Sequence, residues 1–137
     1  MSLLSRKGLL AITAVVDIAV HAAGRPVSAK ALAARNILPP RHLEPVLQAL
    51  VRAGILRGIR GPRGGYRLGR ERRRITAEDI LRAALSLEED AGPAVPNSPL
   101  LSQVVLPAIA QADRAFSAAL ARINVEDLAL RAQAARQ

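Results

Sequence analysis

Apolar side chains return every three or four positions along most of this chain, and the breaks between such runs are marked by glycine and proline. Leu9, Ile12, Val16, Ala19 and Val20 fall at helical spacing and leave Arg6, Thr13 and Asp17 toward the other side. With Ser5 as N-cap and Gly24 as stop, this predicts a helix to about Ala23. His21, near its end, is expected as a capping or surface residue. After Arg25-Pro26, Ser28 is a second N-cap for a short helix over 29–35, with Ala31, Leu32 and Arg35 at near-helical spacing. Asn36 is a plausible left-handed stop before Pro39-Pro40. A third helix begins around Pro40 or Arg41. It buries Leu43, Val46, Leu47, Leu50 and Val51, turns Arg41, His42, Glu44, Pro45, Gln48 and Arg52 outward, and ends at Gly54. Pro45 is tolerated if it lies within the first turn or so, where its missing N–H costs little.

The period then changes from helical to alternating. Segments 55–60 and 66–70 flank a Pro62-Arg63-Gly64-Gly65 turn, which is a β-hairpin signal. Thr76 and Asp79 have the spacing of a capping box, with Ile80, Leu81, Ala84 and Leu85 behind them as a packing face. Residues 87–98, with Glu88-Glu89-Asp90 and prolines, read as an exposed or mobile loop. Pro99 suits the first position of a long helix reaching about Ile123. Val105, Ile109, Ala112, Phe116, Ala119 and Ile123 recur along it at intervals of four and three, a spacing that favours helix–helix association. Pro107 should bend this helix or mark its effective start. Asn124 to Asp127 cap a last short helix anchored by Leu128 and Leu130.

The fold class is therefore mainly α with one small β-hairpin. Two short helices joined by a tight turn and followed by a basic hairpin have the order of a winged helix-turn-helix. The expected organisation is a winged helix-turn-helix domain over 1–86, a loop over 87–98, and a dimerisation helix with a short C-terminal helix over 99–137.

Charge narrows the picture further. The chain of 137 residues carries +9, but the balance is +12 up to Ile75 and −3 from Thr76 onward. Eight arginines fall between Arg57 and Arg74. Such segregation points to a polyanion as partner. In a winged helix the third helix enters the major groove, so Arg41, His42 and Glu44 are placed at base edges, where arginine favours guanine and a carboxylate accepts from cytosine. The hairpin would straddle the phosphate backbone, with Arg60 and Arg63 at its tip; an arginine is drawn to a narrow minor groove. Gly61, Gly64 and Gly65 shape the turn, and the Tyr66 hydroxyl either meets a phosphate or packs beneath the wing. Arg72-Arg73-Arg74 reads as a solvated strand end with a flanking phosphate contact as the alternative.

Other classes recede. There is no cysteine, so there is no disulfide and no thiolate-bound metal. The two histidines have no context that marks a catalytic base, and the glycine-rich turn leads into a strand, not the helix of a phosphate-binding loop. No enzyme activity, cofactor or metal is expected. Arg6-Lys7 precede an apolar run, as in a signal peptide, but Asp17 and His21 interrupt it before it reaches roughly eighteen apolar residues. The expectation is a soluble cytoplasmic protein without a membrane partner.

Several local stretches strengthen this reading. Ser5-Arg6-Lys7-Gly8, Pro26-Val27-Ser28, Leu43-Glu44, Ala53-Gly54-Ile55-Leu56 and Arg60-Gly61-Pro62-Arg63-Gly64-Gly65-Tyr66-Arg67-Leu68 resemble one bacterial regulator family. It includes the iron–sulfur cluster regulator, the nitric-oxide-sensing repressor and the cysteine-metabolism repressor. The resemblance is strong over about 2–86 and one of pattern over 99–130. It implies a homodimer in which the long helix crosses its partner and both heads read a pseudo-palindromic operator, often as a repressor. It also implies that Arg60 enters the minor groove, that Arg41, His42 and Glu44 lie at the major-groove edge, and that Arg6, Lys7, Ser28 and Lys30 bind phosphates. Arg63, Gly64, Gly65 and Tyr66, from the reading of the hairpin above, complete the candidate DNA-binding set.

The chain departs from the family's pattern at three places. The segment from Leu87 to Pro99 lacks the cysteines that many members use to hold a cluster, Pro45 replaces a polar residue often placed for base contact, and Ile37 stands where the turn often has glycine. The leading expectation is a cluster-free dimeric regulator of double-stranded DNA. Two alternatives are a winged helix used as a protein-interaction module, and a regulator switched by a small molecule held between the wing domain and the long helix.

Overall fold

The computed structural model describes residues 5–87 and 98–135. The centre of the fold is α1 (Arg6–His21), an alanine- and valine-rich helix that the other elements pack around. Ser5 caps it by accepting from the Gly8 N–H at 3.0 Å. Its buried residues are Ala11, Ala14, Val15 and Ile18, with Gly8 where it meets α4. The predicted stripe is therefore rotated: Leu9 is exposed, and Asp17, expected on the outward side, is buried. A central helix has neighbours on several sides, so small residues line more than one of its faces and no single amphipathic stripe describes it.

Next come α2 (Ala29–Asn36) and α3 (Pro40–Arg52). Ser28 caps α2 through the Ala31 N–H at 3.0 Å. The left-handed residue that ends α2 is Ile37, at φ 53° and ψ 54°, and not Asn36. Asn36 stays helical because its side-chain amide donates to the Leu32 carbonyl at 3.0 Å and to Asp17 at 2.9 Å. The next residue must then make the turn, although a β-branched side chain is poorly suited to it. Leu43, Val46, Leu47 and Leu50 are buried as predicted, and Ala49 joins them. Pro40 is the first residue of α3, so Pro45 lies in the second turn, beyond the first turn that was expected to excuse it. There it deprives the Arg41 carbonyl of its helical donor.

The hairpin pairs β1 (Leu56–Ile59) with β2 (Gly65–Leu68), antiparallel, in the register Leu56–Leu68, Arg57–Arg67, Gly58–Tyr66 and Ile59–Gly65. Val27 adds a bridge to Tyr66, with N–H···O distances of 2.8 and 2.7 Å. This ties the entry of α2 to the base of the wing. Residues 72–74 form a 3-10 turn and not a strand end. Then α4 (Ala77–Leu85) starts from the predicted capping box, both of whose bonds are 3.1 Å long. Ile80, Leu81 and Ala84 are buried, whereas Leu85, expected beside them, is exposed, and Ala77 and Ala83 pack in its stead.

The acidic cluster 88–90 and most of the predicted loop lie outside the described residues. From Pro99 the chain is helical through a π-type turn, Leu101–Val105, into α5 (Leu106–Ala121). The Leu106 N–H donates to Leu101, five residues back. Pro107 has no N–H to give and its ring crowds the preceding turn, so the helix widens just before it. None of the α5 residues is buried, and its main packing partner is α4. The 21 residues from Leu101 to Ala121 are long and apolar enough to cross a membrane, with mean hydropathy 1.2. Asp113 and Arg114 sit within that length.

Finally α6 (Val125–Ala135) folds back against α1, its start held by the pairs Ala77 N–H to Ile123 O (2.8 Å) and Val125 N–H to Ile75 O (2.9 Å). Val125 and Ala129 anchor it, while Leu130, a predicted anchor, is exposed. The order of helices, bridge and hairpin is that of a winged helix-turn-helix with a long C-terminal helix.

Candidate nucleic-acid interface

The outward face of α3 is as predicted. Arg41, His42, Glu44, Pro45, Gln48 and Arg52 are all exposed. At about 100° per residue, Arg41, Pro45, Gln48 and Arg52 share one line down the middle of that face. Glu44 lies about 60° to one side and His42 about 100° to the other. Glu44 and His42 are thus about 160° apart around the axis, so one approach to a groove floor brings Arg41 and Glu44 together and leaves His42 at the flank. The helix starts at Pro39-Pro40 with no side-chain cap, which leaves its N-terminal partial positive charge open to an outside anion.

Two other helix starts carry predicted residues. Arg6 and Lys7 are exposed in the first turn of α1, and Lys30 is exposed in the first turn of α2. The Ser28 Oγ is used as an acceptor by the α2 cap, which leaves its hydroxyl hydrogen for an outside acceptor.

In the wing, Arg60 and Arg63 are exposed at the five-residue tip. Gly61 has φ 113° and Gly65 φ 156°, and a Cβ on Gly65 would collide with the Val27 carbonyl. A Cβ on Gly64 would meet the Ile59 and Gly61 carbonyls, and the Gly64 N–H donates to Gly61 O at 2.9 Å. These glycines build the tip. The Tyr66 ring packs partly buried against the core. Two further guanidinium groups count in the sequence only toward arginine density: Arg57 and Arg67 lie directly opposite each other across the ladder. Like charges in that position repel unless an anion lies between or over them, and the Arg67 Nε is buried without a hydrogen-bond partner.

The arginine run therefore divides. Arg70 pairs with Asp79 and donates to the Ala53 carbonyl, Arg72 reaches Glu126 at 3.5 Å, and Arg74 reaches Glu71 at 3.6 Å. The first two brace the domain, and the third is an exposed pair within one turn. Among the described residues, Arg57, Arg60, Arg63 and Arg67 have no carboxylate partner, and neither do Arg41 and Lys30. Arg73, Arg114, Arg122 and Arg131 also lack a carboxylate partner among the described residues, but they are scattered, whereas the others gather on α2, α3 and the wing.

Sequence reasoning missed the clamp beneath this surface. Asp17 of α1 accepts two bonds from Arg35, at 2.8 and 3.1 Å, and one from Asn36 at 2.9 Å. His21 lies 3.6 Å away and its Nδ1 is 3.0 Å from the Asp17 carbonyl. Burial pushes the Asp17 carboxyl up, but hydrogen bonds from Arg35 and Asn36, with the Arg35 and His21 charges, outweigh it and hold the group below the usual carboxylate range. The same hydrogen bond raises Arg35. The clamp fixes the end of α2, and thereby the turn that aims α3. A groove of about 670 Å³ opens beside it, between the α1–α2 turn, α2 and the wing tip, lined among others by His21, Arg25, Ser28, Arg35 and Arg63.

The profile of the Rrf2 family, described as iron-dependent transcriptional regulators, matches residues 4–131. The chain belongs to the Rrf2 family. Rrf2 relatives similar to it include the regulator IscR of Vibrio atlanticus, 36% identical over 80 residues, which are 58% of this chain and 46% of that protein. CymR of Bacillus subtilis is 39% identical over 79 residues, 58% of this chain and 57% of that one. The chain spans about half the length of the curated relatives it matches. Among solved Rrf2 structures, IscR of T. potens superposes with a TM-score of 0.76 at 29% identity, covering 98% of this chain and 90% of that one. CymR, titled the global cysteine regulator of B. subtilis, superposes at 0.71 with 30% identity and covers 96% and 98%. The iron chemistry in the family's description finds no fit here. The whole sequence has no thiolate to offer, and no group of three or more metal-ligating side chains converges among the described residues.

Proposed function

We propose that this chain is a transcriptional regulator that binds an operator as a cytoplasmic homodimer and without an iron–sulfur cluster. In this reading 1–86 is the DNA-binding domain, α3 lies in the major groove with Arg41 and Glu44 at base edges, and the wing places Arg60 and Arg63 at the minor groove. Arg6, Lys7, Ser28 and Lys30 hold phosphates at helix starts, and His42 sits at the flank of the groove. Gly64 and Gly65 let the wing backbone approach, and Tyr66 supports it from below. The observation that carries the reading is the cluster of unpaired cations on α3 and the wing, beside Arg70 and Arg72, which are paired and brace the domain. Unpaired guanidinium groups on one face are what a phosphate backbone neutralises.

The dimer rests on the 99–121 helix, which leaves Leu100 at 66% and Ile109 at 59% exposure together with Val104, Val105 and Leu106. An apolar surface of that extent on one helix favours a covering partner, and a second copy supplies one of matching chemistry.

The test is a binding titration on DNA chosen by in-vitro selection, run across a salt series. Neutralising roughly six to ten phosphates predicts an affinity loss of about a thousandfold or more between 50 and 200 mM salt. Salt-insensitive binding, or no selected sequence, refutes it. In sedimentation the wild type should run as a dimer and Ile109→Arg as a monomer; an Ile109→Arg dimer refutes the assigned interface. The groove beside Arg25 and Arg63 favours one added reading, a small anionic effector, tested by whether a bound metabolite shifts operator affinity and DNA shifts metabolite affinity by the same factor.

A further inference from the structure

The middle of the α3 face is where a recognition helix makes its deepest contact with a major groove, and this chain places an unusual residue there. Pro45 occupies that line one turn after Arg41, and its ring has neither donor nor acceptor to offer a base. Its neighbour along the line is Gln48, about 20° from Arg41 around the axis and 4.5 Å, or three residues, further along. Gln48 is exposed and makes no hydrogen bond among the described residues. Arg52, exposed a turn beyond, falls on the same line near the end of α3.

We infer that Gln48 is a specificity-determining residue, reading an adenine through its side-chain amide. The inference rests on the operator reading above and deepens it. A glutamine amide presents one donor and one acceptor side by side, which matches adenine N7 and N6–H₂ in the major groove and no other base as well. The rise from Arg41 to Gln48 is about 10.5 Å, or roughly three base-pair steps of 3.4 Å. The adenine therefore lies about three base pairs from the guanine taken by Arg41, with Glu44 between them on the flank toward a cytosine. Pro45 contributes by what it lacks: a small apolar ring at the centre of the line leaves the groove floor open for the longer Gln48 side chain to cross. Nothing else holds Gln48 outward. It lies on the side of α3 opposite Leu43, Leu47 and Leu50, so its replacement leaves the core untouched.

The test is in-vitro selection with the full-length wild type, Gln48→Ala and Gln48→Glu, followed by titration of the wild-type operator with each base pair changed in turn. Unchanged thermal melting of both variants establishes that they fold. Gln48→Ala is expected to flatten the preference at one position per half-site by about tenfold, the discrimination of one bidentate contact. The other positions and the salt slope should stay as in the wild type. Gln48→Glu is expected to shift that same position toward cytosine, whose amino group a carboxylate accepts. A uniform loss across all sequences would mean a backbone contact and overturn the inference, as would a selected sequence that neither variant alters. A wild type that selects no sequence overturns the operator reading and this one with it, so the two failures are distinct.

Discussion

Removing Arg35 should cost more than removing Arg35 and Asp17 together. Arg35→Ala leaves the Asp17 carboxylate, whose side chain is only 7% exposed, with the Asn36 amide and the His21 ring at 3.6 Å as its remaining partners. Breaking a buried pair from one side costs about 3–5 kcal/mol. The Arg35 side chain is itself 36% exposed and partly solvated, so the expected loss is nearer 2–3 kcal/mol. Asp17→Ala leaves no buried charge: the guanidinium turns to water, and Asn36 keeps its bond to the Leu32 carbonyl, for a loss of about 1–2 kcal/mol. The double variant should resemble Asp17→Ala. Urea unfolding at matched protein concentration measures all four proteins, since the proposed dimer would make apparent stability depend on concentration. The pH dependence adds a second check with a definite sign. Because the folded-state pKa of Asp17 is depressed, its stabilisation is fully present above the unfolded carboxylate value of about 3.9 and is lost as pH falls through the lower folded value. The gap between wild type and Arg35→Ala should therefore be widest near neutrality and close as the solution is acidified below about pH 4. An Arg35→Ala protein as stable as the double variant, or a gap that widens in acid, would refute the buried-clamp argument.

Three further outcomes follow from local geometry. Ile37→Gly should raise stability by about 1 kcal/mol in the same unfolding assay, because relief of a left-handed β-branched residue (~1–2 kcal/mol) exceeds the added unfolded-state freedom of glycine, and the lost side chain is 91% exposed; a lower midpoint contradicts this. Thr76→Ala should cost about 1 kcal/mol through loss of the cap on α4, measured by the shift in urea midpoint, and an unchanged midpoint would remove the capping box from the account. Gly65→Ala must push Val27 away from Tyr66, so operator affinity should fall at least tenfold while the far-ultraviolet helix signal is retained; wild-type affinity would show that the wing tolerates a shift at its base.

How legible the molecule is from its sequence differs from element to element. The α3 face, the capping box at Thr76 and the exposed arginines of the wing follow from spacing, because each depends on residues within a turn or two. Asp17 does not. Periodicity sorts polar from apolar positions, but it cannot know that a carboxylate on α1 will meet a guanidinium eighteen residues later. The clamp then decides a second feature, since holding Asn36 in the helix passes the left-handed turn to Ile37. The exposed Leu85 and Leu130 have a similar origin. Each continues a local apolar pattern past the buried face of its helix, where the smaller Ala83 and Ala129 are covered instead.

Composition, charge segregation and helical or alternating period by themselves determined the class of this protein: a mainly helical winged fold with a cationic reading side and no thiolate for a cluster. Tertiary structure alone decided which arginines are free. Arg70 and Arg72 are as basic in the sequence as Arg57, Arg60 and Arg63, but only the folded chain brings Asp79 and Glu126 to them. The physical reason is that a side chain's chemistry is local, while its electrostatic partner is set by which surfaces pack together.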